Sequence, residues 1–462
     1  MHNLKWCTIF LKQMISKYFL RSLVVALNIL LFTSCLGSSD DNFEYSPDAQ
    51  IYSFSMSSRG DTLNLLNTTA FTIDQVNGKI FNKDPMPYLF HVDSVVLNIS
   101  SSSTLNPFSQ VVLTLSDESD NPFYWSASDS VAINQLLQIT TTAPDGKTTK
   151  KYDFQLNIFQ EDPYVLTWER RDDYLAIPPT DQKTIMLNER FITYYTTGTT
   201  VGAASSTDGI DWDNVDELIG LPPTIKLKSL LPSTNAVYVL DESGEVYSSD
   251  ETGITWSRIP LPYNVEAVEA IYGILPSATS GDILMAVNHN DVLRFAVTND
   301  FSEIQLMNNI PDDMPLFNFT STSVENPDSY ATKYIVLTDG IKKDNTRNEA
   351  IWILQEKDEE ITNISKVTSA SVAGGSLFYY DKRLYLMILT GGKNSFLLSD
   401  NFGLDWIEAE DNQSFHSEFS PRTKVSVLAD EDNNIWIFGG ISLEQVQLID
   451  TWRGRLNKFA MN

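Results

Sequence analysis

Beyond residue 48 the apolar residues recur mostly at every second position, in short runs broken by Gly, Pro, Asn, Asp and Ser. That period of two marks strands with one buried face. SVVLNIS (Ser94–Ser100) and QVVLTLS (Gln110–Ser116) are two such runs. TAFTIDQVNGKIFN carries Asn77-Gly78 between two alternating runs, and LLQITTTAPDGKTTKKYDFQ carries Asp145-Gly146. Both dipeptides are hairpin turns by their need for positive φ. About seven short strands in residues 49–162 predict a β-sandwich.

From residue 163 to 462 the pattern lengthens. SSTDGIDW (Ser205–Trp212), SDETGITW (Ser249–Trp256) and SDNFGLDW (Ser399–Trp406) share Ser205, Ser249 and Ser399 at the start. They share Gly209, Gly253 and Gly403 in the middle, and Trp212, Trp256 and Trp406 at the end. The central acceptor position holds Thr207, Glu251 and Asn401. TNDFSEIQ (Thr298–Gln305) fits a degenerate copy that keeps Asp300, and KDEEITNI (Lys357–Ile364) is a poorer one. Trp168 lies 44 residues before Trp212, and Trp452 lies 46 after Trp406. A period of roughly 44–50 residues is the length of a four-stranded blade. Six strand-turn-strand segments fit: 185–228, 235–262, 266–310, 331–365, 370–415 and 423–460. The expected fold is all-β, a sandwich followed by a six-bladed β-propeller, or a seven-bladed one if the Trp168 strand opens its own blade.

The octapeptide resembles the Asp-box of sialidases and of many non-enzymatic propellers. That likeness implies a peripheral turn rather than a catalytic element: Gly supplies positive φ, Ser and the acceptor cap turn amides, and Trp packs between blades. IWIFGG (Ile435–Gly440) resembles a kelch-type blade. The ending TTTAPDGKTTKKYDFQLNI resembles bacterial Ig-like or cadherin-like modules, which usually act as spacers.

The N-terminus changes the picture most. Basic residues precede an apolar run from Leu23 to Phe32, and then comes Thr33-Ser34-Cys35. The run is short for a membrane span and placed like a signal-peptide core. It resembles a bacterial lipobox, which implies cleavage of 1–34 and lipidation of Cys35. LGSSDDN after the Cys resembles the export signal of Bacteroidetes surface lipoproteins, so 35–48 reads as a tether and the outer membrane, facing outward, as the address. Met14 is an alternative start. Cys7 leaves with the signal peptide, so no disulfide is expected. Net charge is −28 over 462 residues, and losing Lys5, Lys12, Lys17 and Arg21 takes it to about −32. Such a surface argues against nucleic acid as a partner.

The whole pattern resembles a family of Bacteroidetes surface lipoproteins of unknown function, with an Ig-like module and an Asp-box or kelch-like propeller ending in W-R-G-R-L-N. Residues Trp452 to Asn457 carry that ending.

Candidate chemistry is sparse. A sialidase needs an arginine triad, with its first arginine in an R-I-P motif before the first Asp-box. Here that motif is Arg258-Ile259-Pro260, after the second octapeptide, while Arg170, Arg171 and Arg190 lie outside any such motif. The mature histidines, His91, His289 and His416, have no metal-ligand spacing. DESDNP (Asp117–Pro122) and DEDNN (Asp430–Asn434) read as solvated turns rather than Ca²⁺ loops. No cofactor is implied. Asp61-Thr62, Asp93-Ser94 and Asp129-Ser130 begin motifs resembling O-glycosylation acceptors, with Thr62, Ser94 and Ser130 as the glycan carriers. The expected function is a non-enzymatic glycan- or protein-binding, or scaffold, module anchored by lipid. The alternatives are a glycoside hydrolase or lyase with acids at the propeller centre, or a purely structural accessory of the outer membrane.

Overall fold

The computed structural model describes residues 44–105, 107–116, 122–215, 218–234, 236–275, 282–325, 333–357 and 359–460. Cys35 and the signal segment lie outside these residues, as does most of DESDNP. The chain divides into two compact units between Phe159 and Gln160.

In the first unit, Ser53–Ser57, Val95–Ser100 and Ser130–Val131 form one sheet. The other sheet runs Phe71–Asp74, Lys79–Asn82, Thr149–Gln155, Leu136–Thr142, Gln110–Leu115 and Phe123–Tyr124. Both hairpins form where the dipeptides place them, with Gly78 at φ 63° and Gly146 at φ 66°. Lys79–Asn82 pairs parallel with Thr149–Gln155, which joins the two hairpins into one sheet. Alternate residues from both sheets (Phe54 and Leu97 from one, Ile80, Leu113 and Ile139 from the other) enclose a single core. Tyr152 sits within it, and its hydroxyl accepts from the Ile51 amide at 3.0 Å and donates to Gln75 at 2.7 Å.

The second unit consists of six antiparallel sheets among the described residues. Sheet one is Asp181–Leu187, Arg190–Thr197, Thr200–Ser206 and Asp213–Val215. Sheet two is Leu231–Pro232, Val237–Leu240, Val246–Ser249 and Trp256–Ile259. Sheet three is Ala267–Leu275, Asp282–His289, Val292–Thr298 and Gln305–Asn309. Sheet four is Pro315–Glu325, Lys333–Lys342, Ala350–Lys357 and Glu360–Val367. Sheet five is Ser376–Tyr380, Arg383–Thr390, Lys393–Ser399 and Ile407–Glu408. Sheet six joins Ser426–Ala429, Ile435–Ser442 and Gln447–Leu456, with Arg422–Thr423 beside the second of these.

The fourth full strand of sheet six comes from the other end of the unit. Leu166–Arg171 pairs antiparallel with Gln447–Leu456, placing Trp168 opposite Gly454. The Trp168 strand therefore opens no sheet of its own; Trp168 and Trp452 share one sheet, and their spacing from the octapeptides is not a repeat of equivalent positions. A Cβ on Gly454 would lie 2.6 Å from the Trp168 ring, so the glycine of WRGRLN makes room for the closing strand. The Leu456 amide donates to the Tyr380 hydroxyl at 3.2 Å, and the Asn457 amide donates to the Val165 carbonyl at 3.0 Å.

Six apolar clusters fill the gaps between successive sheets, and one of them joins sheet six to sheet one through Phe438, Trp436 and Phe191. The sheets thus close on one another. The segment expected at 331–365 lacks its first strand, Pro315–Glu325. That strand reads PLFNFTSTSVE, with no buried alternation to reveal it, because its hydroxyl-bearing residues face the centre of the ring.

The octapeptides form turns between the third and fourth strands of sheets one, two and five, and TNDFSEIQ does the same in sheet three. Each turn packs on the preceding sheet. Gly209 abuts Trp436, Gly253 abuts Tyr194 and Ile192, and Gly403 abuts Val336 and Ile353. Trp212 meets Phe438 at 5.7 Å, Trp256 meets Tyr194 at 5.6 Å, and Phe301 takes the place of the glycine-tryptophan pair by meeting Tyr238 at 5.0 Å. The capping residues differ from the simple register. In the first turn Ser206, not Ser205, accepts from the Gly209 amide at 2.8 Å, and Asp208, not Thr207, accepts from Ile210 and Asp211. Ser206, like Ser399, is the last residue of its strand, whereas Ser205 lies one residue inside the ladder opposite Asp213. In the second turn the acceptor is Asp250 rather than Glu251, bonded by Thr252 through amide and hydroxyl. The third follows the register, with Ser399 accepting from Gly403 and Asn401 from Asp405, both at 2.9 Å.

Gly253 has φ 74°, and a Cβ there would lie 2.5 Å from the Tyr194 hydroxyl; Gly198 has φ 64° with nothing within 4 Å. Gly198→Ala is expected to cost about 1–2 kcal/mol from left-handed strain alone. Gly253→Ala should cost at least about 1 kcal/mol more from overpacking between sheets one and two. Urea denaturation of the two variants checks this, and equal losses would mean the turn does not press on its neighbour.

Candidate functional site

The first strands of the sheets surround a cavity of about 530 Å³. Its wall carries polar groups among apolar ones for a structural reason. First strands lie edge to edge around the centre, where a ladder between neighbours cannot form, and each exposed edge leaves backbone groups to satisfy. Side chains do it instead. Ser426 of sheet six accepts from the Thr184 amide of sheet one at 3.0 Å. Ser376 donates to the Val425 carbonyl at 2.9 Å, and Thr320 accepts from the Leu377 amide at 3.0 Å. Ser323 donates to the Ile274 carbonyl. Between sheets two and three the link is backbone, from the Val268 amide to the Gly244 carbonyl at 3.0 Å.

Sheets one and two are joined by a crossed pair of lysines. Lys183 Nζ donates to the carbonyls of Lys228 and Leu230 at 2.8 and 3.0 Å. Lys228 Nζ reaches back to the Gln182 carbonyl at 2.8 Å and lies 3.4 Å from the Asp181 carboxylate. Burial, and then the charge of Lys228, push the Lys183 ammonium down to about 7. Lys424 also lines the cavity and is exposed. The lining carboxylates among the described residues are Asp181 and Asp339. Asp339 is buried and already bound: Arg347 Nε donates to Oδ1 at 2.8 Å, and the Gly374 amide donates to Oδ2 at 2.8 Å.

The centre is therefore lysine-bearing in a chain of net charge −28. Of its two carboxylates among the described residues, Asp181 lies 3.4 Å from the Lys228 ammonium and Asp339 is held by Arg347. Lys183, Lys228 and Lys424 were not singled out in the sequence. The available signal was the cation inside DQKTIML, a strand in an acidic chain that otherwise alternates toward apolar residues.

The remaining sequence candidates lie elsewhere. Arg170, Arg171, Arg190 and Arg258 do not line the cavity; Arg258 pairs with Glu245 at 2.6 Å and Arg171 with Glu169 at 2.7 Å. The Asp430 carboxylate is filled by the Asn434 amide and side chain and by Trp436 Nε1. His91 is exposed beside Asp93, His289 bonds the Asn264 carbonyl, and His416 lies against Trp452. Among the described residues no group of three or more His, Cys, Asp or Glu is placed to hold a metal ion. Thr62 and Ser130 are exposed, and Ser94 is half-buried.

Comparison with known proteins agrees with this architecture. Residues 162–462 match the family model described as the DUF6242 β-propeller domain, and residues 50–156 match the N-terminal domain of unknown function of the same family. No curated protein matches the chain. Among solved structures, a protein of unknown function from Dyadobacter fermentans is similar, with TM-score 0.44 and 12% identity over 63% of this chain and 98% of that one. YjhT gives TM-score 0.42 and 12% identity over 61% of this chain and 95% of that one. A Trypanosoma rangeli sialidase gives 0.39 and 10% over 61% and 55%. Identities this low say nothing about activity.

Lys183 also predicts a pH dependence. With its folded value lowered to about 7 from the ordinary 10.5, the unfolded chain binds the extra proton between those values. Stability contributed by this site therefore rises as pH increases through that window. The wild-type urea midpoint should rise from about pH 7 to about pH 9 more than that of Lys183→Met, which lacks the group. Parallel slopes in the two proteins would refute the assignment.

Proposed function

The chain belongs to the DUF6242 family, and on that premise we propose that it is a non-enzymatic, lipid-anchored binding protein of the bacterial outer membrane whose six sheets are the six blades of its propeller. The propeller presents its central cavity to a glycan. The Ig-like first unit acts as a spacer above the tether, and Cys35 carries the lipid.

The observation that supports binding over hydrolysis is the cavity wall. It is concave and open to solvent-sized occupants, with apolar Ile271 and Leu377 interleaved with hydroxyls and lysines. That mixture is what small-ligand sites present. A glycosidase needs one carboxyl group free to donate a proton and a second facing it across the sugar. Asp339 is held by three donors from Arg347 and Gly374, which leaves it no such role. A purely structural accessory would have its centre plugged by apolar side chains, and this centre is hollow.

A glycan panel applied to the full chain in detergent is expected to return one class of ligand. Substituting Lys228→Gln should remove that binding, in a variant whose circular dichroism shows the β-fold retained although it loses the bonds of Lys228 to Gln182 and Asp181. Binding that survives the substitution unchanged would place the ligand away from the cavity. Turnover of the bound glycan would overturn the non-enzymatic reading.

A further inference from the structure

The chemistry of the cavity narrows the ligand class beyond the reading above, on which this inference rests. An ammonium has three N–H donors. Lys183 spends two on the carbonyls of Lys228 and Leu230, and Lys228 spends one on the Gln182 carbonyl, with Asp181 nearby at 3.4 Å. Both therefore keep donor capacity, and both line the cavity. With Lys183 protonated, the trio Lys183, Lys228 and Asp181 carries one net positive charge, which suits an anionic group on the ligand. Across the ring, strand Pro315–Glu325 spends the Thr320 and Ser323 hydroxyls on neighbouring sheets. The Asn318 amide and the Ser321 hydroxyl on the same strand line the cavity with no hydrogen-bond partner among the described residues. They are the groups left to read hydroxyls.

We infer that the cavity takes a carboxylate-bearing sugar, a uronic acid unit, with its carboxylate on Lys183 and Lys228 and its hydroxyls on Asn318 and Ser321. A cavity of about 530 Å³ has room for such a sugar unit. The charged groups facing Lys183 are Lys228 and Asp181, both part of the same trio. Lys424 adds a further cation to the wall, and Asp339 is neutralised by Arg347. Carboxylate binding favours the ammonium form of Lys183, so the ligand should draw a proton onto the protein above about pH 7.

The test is calorimetric titration of the full chain in detergent with D-galacturonate, D-galactose and sulfate, at about pH 6 and about pH 8.5. Galacturonate is expected to bind at least about tenfold more tightly than galactose, and more tightly at the lower pH. At the higher pH the heat should depend on the buffer's own ionisation enthalpy, reporting proton uptake. Lys228→Gln should weaken galacturonate about tenfold or more, and Lys183→Met should abolish the buffer dependence. If Lys183→Met fails to fold, Lys228→Gln and the wild-type buffer series still decide the matter. Equal affinity for galactose and galacturonate overturns the acidic-ligand inference and leaves the binding reading standing. So does a neutral ligand from the glycan panel with galacturonate silent. Sulfate competing as well as galacturonate overturns the sugar assignment. Silence of galacturonate together with the whole glycan panel overturns both readings.

Discussion

Everything in the second unit depends on one pairing between distant segments, Leu166–Arg171 against Gln447–Leu456. Six sheets in a row would leave sheet six without its outer strand and sheet one facing water. The pairing completes sheet six with a strand from the start of the unit, so the first and last segments are held by backbone hydrogen bonds. Around it, Trp168 stacks on Phe415 at 5.2 Å, and Trp452 donates to Asp450, whose carboxylate also binds the buried Arg422. Burial opposes the charged Asp450 carboxylate, and Arg422 outweighs it, so the carboxyl stays below its ordinary range. Arg422 in turn donates to the Gly439 and Ser420 carbonyls and lies over the Phe419 ring. A buried charge so fully engaged is costly to disrupt from either side.

Closure has a second consequence at the centre. The innermost strands cannot pair with one another, so their edges demand partners of another kind. Serine and threonine supply most of them, and a lysine pair supplies the link from sheet one to sheet two. The residues that hold the ring together are thus the residues that make its centre polar. The polar groups of the cavity wall are a by-product of satisfying backbone groups at the innermost strands.

The periphery was the more legible part. Gly78 and Gly146 marked their hairpins because positive φ is a local demand that a sequence states openly. Gly209, Gly253 and Gly403 did so for the octapeptide turns, although the capping residue slid by one in two of them. The slide from Ser205 to Ser206 follows from ladder register, which depends on the partner strand and not on the octapeptide. Strand Pro315–Glu325 escaped notice because strand periodicity assumes one dry face and one wet face, and this strand turns hydroxyls toward a hollow.

The alternating pattern by itself determined the all-β class, the hairpins and the recurrence of multi-stranded segments in the second half of the chain. These are consequences of local backbone preference and of which face must be buried, and both are written along the chain. Only the tertiary structure decided that Trp168 closes the last sheet, and that Lys183, Lys228 and Asp181 meet. It also decided that the centre is cationic inside an acidic protein. Those facts arise from contacts between residues tens to hundreds of positions apart, whose joint electrostatics no single segment carries.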